Sequence, residues 1–180
     1  MRVGLVRHFP VSEPLPRGWM TAHELHLWRQ RYDGADVHLA EVEDESSRWA
    51  RCYASDMSRA QATARAMWSG EFLTRSELRE VEFAPFATGN LRLPVWLWRR
   101  LVQAAWMTGH LSQRSLRDDF QARVRATADL VEASAEDILI ISHAGMMHFL
   151  SRELLKRGFR GPKLSVAEHA RVYIFESCRD

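Results

Sequence analysis

The sequence predicts an α/β fold: a single domain with a mostly parallel central sheet and helices on both of its faces. Three observations carry this. The runs 2–7 and 138–142 are continuously apolar rather than alternating, the pattern of strands buried on both faces. Strand candidates alternate with helical segments, which implies parallel pairing. The chain has 180 residues, the length of one domain, and a chain of that size buries roughly 70% of the surface its unfolded form exposes.

The elements follow in order. Residues 2–7 form the first strand. The stretch 9–20 holds three prolines and a glycine and reads as a loop. A helix over 21–32 carries Leu25, Leu27 and Trp28 among polar residues, with Thr21 as its cap. The run 33–36 ends it, 41–47 is an acidic loop or helix start, and 49–54 is a short strand. Residues 55–68 form an alanine-rich helix opening with Ser55, Asp56 and Ser58. Residues 76–83 are extended or irregular. A helix over 91–107 has one very apolar face, with Trp96, Trp98, Leu101, Val102 and Trp106. A helix over 116–132 places Phe120, Val124, Ala128 and Val131 on one stripe. A strand at 138–142, a helix at 146–156 and a last strand at 171–176 complete the chain. No repeat, low-complexity tract or linker divides it.

Composition excludes several classes. Apolar residues make up 46% and charged residues 27%, ordinary for a globular protein, and the net charge of +2 is too small to argue for nucleic acid. Lys156 and Lys163 are the only lysines. Arginine suits bidentate phosphate contacts, although a biased genome gives the same usage. Cys52 and Cys178 are too few for a disulfide framework or a zinc quartet and point to a reducing compartment. No signal-peptide pattern and no apolar run near 18 residues is seen, so the cytoplasm is the expected location.

The chemistry lies at two strand ends. His8 closes the first strand beside Arg7, and His143 closes the 138–142 strand ahead of Ala144-Gly145. If the strands are parallel neighbours, both imidazoles meet at the crevice where open α/β sheets bind ligands. Arg59 falls in the first turn of the helix after Ser55, where free N–H groups and the dipole favour phosphate. A neutral imidazole is a nucleophile toward phosphorus. Phosphoryl transfer needs mainly positioning and charge neutralisation, which two arginines and a protonated His143 supply without a metal or other cofactor. Taken alone, each of these groups also fits an ordinary role: a satisfied strand-end histidine, a solvated helix arginine, a surface carboxylate.

Four segments together are more specific: Arg7-His8, Ser55 through Arg59-Ala60 and Thr63-Ala64, Leu78-Arg79-Glu80, and Ser142-His143-Ala144-Gly145. In order and spacing this set resembles the histidine phosphatase superfamily, also called the phosphoglycerate mutase-like family. The resemblance runs from residue 3 to about residue 150 and implies a phosphoglycerate mutase-like fold. It implies that His8 is the phosphorylated nucleophile, that Arg7, Arg59, His143 and the Ala144 amide hold phosphate, and that Glu80 is the proton donor. Glu82 is the alternative donor; Glu80 is favoured because it directly follows Leu78-Arg79. Residues 84–115 lie where many members carry a helical cap.

The chain departs from the family in places. Phe9-Pro10 replaces the usual glycine after the nucleophile, the 11–20 loop lacks the common Glu-Thr-x-x-Asn run, and Phe83-Ala84-Pro85-Phe86 replaces the Gly-x-Trp-Glu-Gly after the acid. The expected activity is metal-independent phosphomonoester hydrolysis on a small phosphorylated metabolite or a phosphoprotein, with neither nucleic acid nor membrane as partner. A phosphohistidine phosphatase, a mutase and a non-catalytic phospholigand binder remain the alternatives. Substrate and oligomeric state are open. His23 and His26 read as a solvated or packed helix face rather than a metal pair, and His148 as a helix-face residue. The cluster of Trp96, Trp98 and Trp106 reads as core, with one exposed tryptophan available to an apolar leaving group.

Overall fold

Each central strand sends alternate residues to opposite sides of the sheet. Val3, Leu5, Tyr53, Ile138 and Ile140 join one buried cluster, whereas Val6, Cys52, Ala54, Leu139 and Ile141 join the other. This is why the runs are apolar throughout: neither face meets water. The computed structural model describes residues 1–177, so Cys178 lies outside the described residues.

The strands are β1 (Arg2–Arg7), β2 (Trp19–Met20), β3 (Arg51–Ser55), β4 (Leu73–Arg75), β5 (Leu93–Pro94), β6 (Ile138–Ser142), β7 (Phe159–Arg160) and β8 (Val172–Ser177). The helices are α1 (Ala22–Gly34), α2 (Ser58–Met67), α3 (Val95–Thr108), α4 (Arg114–Ala133) and α5 (Ala144–Lys156). Six strands form one sheet in the order β4-β3-β6-β1-β8-β7, and β2 pairs with β5 separately. The four strands from β4 to β1 run parallel, while β8 and β7 add an antiparallel edge. The buried residues of α4 and α5 pack into the first cluster and those of α2 into the second. The predicted mostly parallel α/β fold with helices on both faces is the observed one.

Local chemistry sets the element ends. Thr21 caps α1 through a reciprocal box: its hydroxyl accepts from the Glu24 amide, and the Glu24 carboxylate accepts from the Thr21 amide at 2.7 Å. Ser55, read as the start of a helix, belongs to β3; α2 begins at Ser58 behind Met57, with no side-chain cap. The helix expected from 91 starts at Val95, because a residue before proline is pushed to extended backbone and Leu93-Pro94 pairs with β2. The 76–83 stretch opens with a 3-10 turn over Ser76–Leu78. The short strands β2, β4, β5 and β7 had no periodic signal. The acidic 41–47 run is not wholly solvated: Glu45 is buried and accepts from the Trp49 indole at 2.9 Å.

Two contacts bind the layers. Arg157, at the end of α5, reaches Asp129 at 2.6 Å, Glu132 at 2.8 Å and Glu153 at 3.1 Å, fastening α5 to α4. On the other face Trp49 closes over Gly4, where a Cβ would meet the indole at 2.7 Å and Leu139 at 2.9 Å. Among the described residues no helix is long and apolar enough to cross a membrane. Gly4→Val is expected to destabilise the fold by about 1–3 kcal/mol through overpacking, read as a fall in the urea midpoint with an unchanged slope.

Candidate active site

The site follows from strand register. β1 and β6 pair in parallel with Arg7 opposite Ser142. The next residues are His8 and His143, so the histidines leave the sheet side by side, their ring centroids 5.0 Å apart. β3 flanks β6 on its other edge with Ala54 opposite Ile141. Ser55 therefore also ends at this edge, and its hydroxyl meets His143 Nε2 at 3.0 Å. A third imidazole, His169, stands 5.5 Å from the His8 ring.

Hydrogen bonds fix the tautomers. His8 Nδ1 lies 2.6 Å from the Phe9 carbonyl oxygen. A carbonyl only accepts, so Nδ1 carries the proton and Nε2 holds the lone pair. His143 Nδ1 accepts from Arg59 Nε at 3.2 Å, which leaves Nε2–H to donate to Ser55. Both rings are buried and neutral. Burial pushes His8 down to about 3; the hydrogen bond to Phe9 opposes this, and Arg59, His169 and Arg7 add to it. Burial, with Arg59 and then His8 beside it, holds His143 well below the ordinary histidine range. The protonated His143 expected from the sequence is therefore replaced by a neutral ring, since a second charge beside Arg59 in a dry site is unfavourable.

The positive charge comes from guanidiniums. Arg59 is almost fully buried in the first turn of α2. Its Nε serves His143, one terminal nitrogen meets Asp33 of α1 at 3.0 Å, and the Tyr32 ring faces it at 5.5 Å. Arg29, one turn before Asp33, holds the same carboxylate at 3.1 Å. Burial lowers the Arg59 pKa, and Asp33 opposes that shift. Arg7 donates one terminal nitrogen to the Ala167 carbonyl at 2.9 Å, while its Nε is buried with no partner among the described residues.

The Glu80 carboxyl group sits at the start of α5. Glu80 accepts from the Gly145 and Met146 amides at 3.2 Å each and from the Val81 amide at 2.9 Å. Helix N-termini favour such carboxylates. The segment is tied on both sides. Ser142 donates to the Leu78 carbonyl at 2.7 Å, Arg79 pairs with Asp56, and Arg123 of α4 reaches the Arg79 carbonyl at 2.8 Å. A Cβ at residue 145 would overlap the Glu80 carboxylate. Glycine is therefore required there by close approach. Glu82 is exposed and its charge bears on Arg79.

The structure thus brings Arg7, His8, Arg59, Glu80, His143 and Ala144 to one end of the sheet. Sequence analysis missed Asp33, Tyr32 and the part played by Ser55, which depend on how α1 and β3 meet α2 and β6. It also missed His169, whose only signal was a histidine just before the last strand. Phe9 is fully buried, and its amide donates to Thr63 at 2.9 Å. His148 donates Nδ1–H to the Leu164 carbonyl at 2.7 Å. Of the three clustered tryptophans, Trp98 and Trp106 are core and Trp96 is exposed.

The site is built from histidines on neighbouring parallel strand ends of an α/β sheet, with two arginines and a carboxyl group beside them. The sequence profile of the Histidine phosphatase superfamily (branch 1) matches residues 5–180, and the chain belongs to that superfamily. Solved structures share the fold. The alpha-ribazole phosphatase of Shigella flexneri matches at a TM-score of 0.52 and 23% identity over 86% of this chain and 79% of its own. The phosphoglycerate mutase of Bacillus anthracis matches at 0.56 and 16% over 98% and 88%. A mycobacterial glucosyl-3-phosphoglycerate phosphatase matches at 0.56 and 16% over 96% and 88%. No curated protein matches the chain.

Two outcomes test this geometry. Gly145→Ala is expected to displace Glu80 and cut turnover by about 100-fold while the far-UV spectrum is kept; steady-state kinetics on p-nitrophenyl phosphate checks it. The second concerns acid stability. His8 and His143 are neutral when folded but take a proton near pH 6.5 when unfolded. Between pH 6.5 and about 3 the unfolded chain therefore binds more protons than the folded one at His8, so stability is lost as pH falls, by up to about 1.4 kcal/mol per pH unit for that ring, and the lowered His143 acts in the same direction. Urea midpoints at pH 7.5 and 5.0 should show the drop.

Proposed function

We propose that the chain is a metal-independent phosphomonoester hydrolase working through a phosphohistidine at His8, a phosphatase of the histidine acid phosphatase type. The observation that carries this is the lone pair on His8 Nε2, set by the bond from Nδ1 to Phe9 and ringed by Arg7, Arg59 and His143. Phosphate lies against Arg7, whose buried Nε lacks a partner among the described residues, against Arg59, and against the Ala144 amide, which Glu80 does not take. His143 lines the pocket and orients Arg59.

His8 Nε2 attacks phosphorus, the ester P–O bond breaks, and Glu80 protonates the leaving alkoxide. Water then attacks the phosphohistidine, Glu80 takes its proton, and the N–P bond breaks to release phosphate. Residues 84–115 act as the cap, carrying α3 and the exposed Trp96. The leaving group is assigned to the side of α1. There the Trp28 ring lies 5.2 Å from the Tyr32 ring, tilted by 40°, and a cavity of about 400 Å³ is bordered by Leu15, Arg17, Leu27, Trp28 and Arg31.

His8→Ala is expected to lower turnover of p-nitrophenyl phosphate by about 1,000-fold or more. Wild type should yield an acid-labile, base-stable phosphoenzyme that the variant lacks. Undiminished turnover in the variant contradicts the assignment. Incubation with 3-phosphoglycerate distinguishes hydrolysis, which releases phosphate, from mutase action, which moves it.

A further inference from the structure

The peptide joining His8 to Phe9 is held at both ends. Its N–H donates to Thr63 Oγ1 at 2.9 Å, and its carbonyl oxygen lies 2.5 Å from His169 Nδ1. One atom group further along, the Phe9 carbonyl accepts from the His8 ring. Pro10 follows, which confines Phe9 to extended backbone. The ring of the nucleophile is therefore aimed by a short rigid chain: His169 and Thr63 hold the peptide plane, the plane sets the Phe9 carbonyl, and that carbonyl sets the imidazole.

The backbone around His169 is built for this contact. Residue 169 bridges to Arg7, and the Ala170 amide donates to the Arg7 carbonyl at 2.8 Å. Ala170 has φ 55° and is the only non-glycine residue with positive φ among the described residues. A side chain in that region is strained, and such strain persists where the surroundings over-determine it. Here it turns the chain into β8 while leaving His169 against the end of β1. His169 is half-buried, and burial lowers its pKa, so its ring is neutral with the proton on Nδ1.

We infer that His169 is a positioning residue for the nucleophile, donating Nδ1–H to the His8 carbonyl so that His8 Nε2 stays fixed toward the phosphate. This rests on the proposed phosphohistidine chemistry at His8. It accounts for a nucleophile followed by Phe-Pro: three hydrogen bonds and a proline fix a segment where the related motif has glycine.

The test exploits side-chain shape. An asparagine amide nitrogen overlaps the Nδ1 position of histidine, whereas a glutamine amide nitrogen overlaps Nε2. His169→Ala should lower kcat on p-nitrophenyl phosphate by about 100-fold, the scale of a misplacement near 1 Å, with KM little changed. His169→Asn should restore most of the rate, and His169→Gln should not. Long-range ¹H–¹⁵N spectra of the imidazoles should report His8 as the Nδ1–H tautomer in wild type and in His169→Asn, and as a mixture in His169→Ala. Wild-type kcat with an unchanged His8 tautomer in His169→Ala overturns the inference, as does an asparagine variant no better than glutamine. If His169→Ala fails to fold, the asparagine–glutamine comparison decides. The spectra need no turnover, so an inactive wild type counts against the phosphatase assignment and leaves this inference still tested.

Discussion

Everything at this site depends on the pairing of β1 with β6. A one-residue slip in a strand sends each side chain to the opposite face. Both strands are buried on both faces, yet their alternate residues fit two different clusters, so register is still enforced by shape. Val6 and Ile141 pair and face the α2 side; Leu5 and Ile140 pair and face α4 and α5. With that alignment fixed, the two histidines emerge together from strands more than 130 residues apart in sequence, a separation read directly from positions 8 and 143. The core thus does the positioning that the chemistry needs.

Charge is arranged so that little of it rests on the imidazoles. Both central rings are uncharged donors and acceptors, each with its proton placed by a neighbour, while permanent charge sits on guanidiniums that cannot lose a proton. A neutral ring at His8 keeps a lone pair free on Nε2. A neutral ring at His143 is able to accept from Arg59 and so to steer it. Glu80 is kept in reach by two helix amides, and those amides are reachable only because residue 145 has no side chain.

Much of this was visible in the chain. The doubly buried strands, the capped α1, the long α4 and the four ordered motif segments all carry local signals; they correctly indicate the α/β sheet, and the structure places Arg7, His8, Arg59, Glu80, His143 and Ala144 at one end of it. What escaped has a common physical cause. Asp33, Tyr32 and His169 act through tertiary placement, and no periodicity or motif says that the last turn of α1 will meet Arg59 or that a strained alanine will lay an imidazole against β1. Ser55 was misread because serine, aspartate and serine in a row look like a helix start, while its hydroxyl is committed to His143. The short strands are too brief for a period to show.

The ion pair between Arg59 and Asp33 has a further consequence. A guanidinium this deeply covered, with no counter-charge, would oppose folding strongly. By supplying the opposing charge from α1, the chain completes its own cation site. The apo protein can therefore assemble its pocket unaided, and ligand affinity does not have to be spent on finishing the fold.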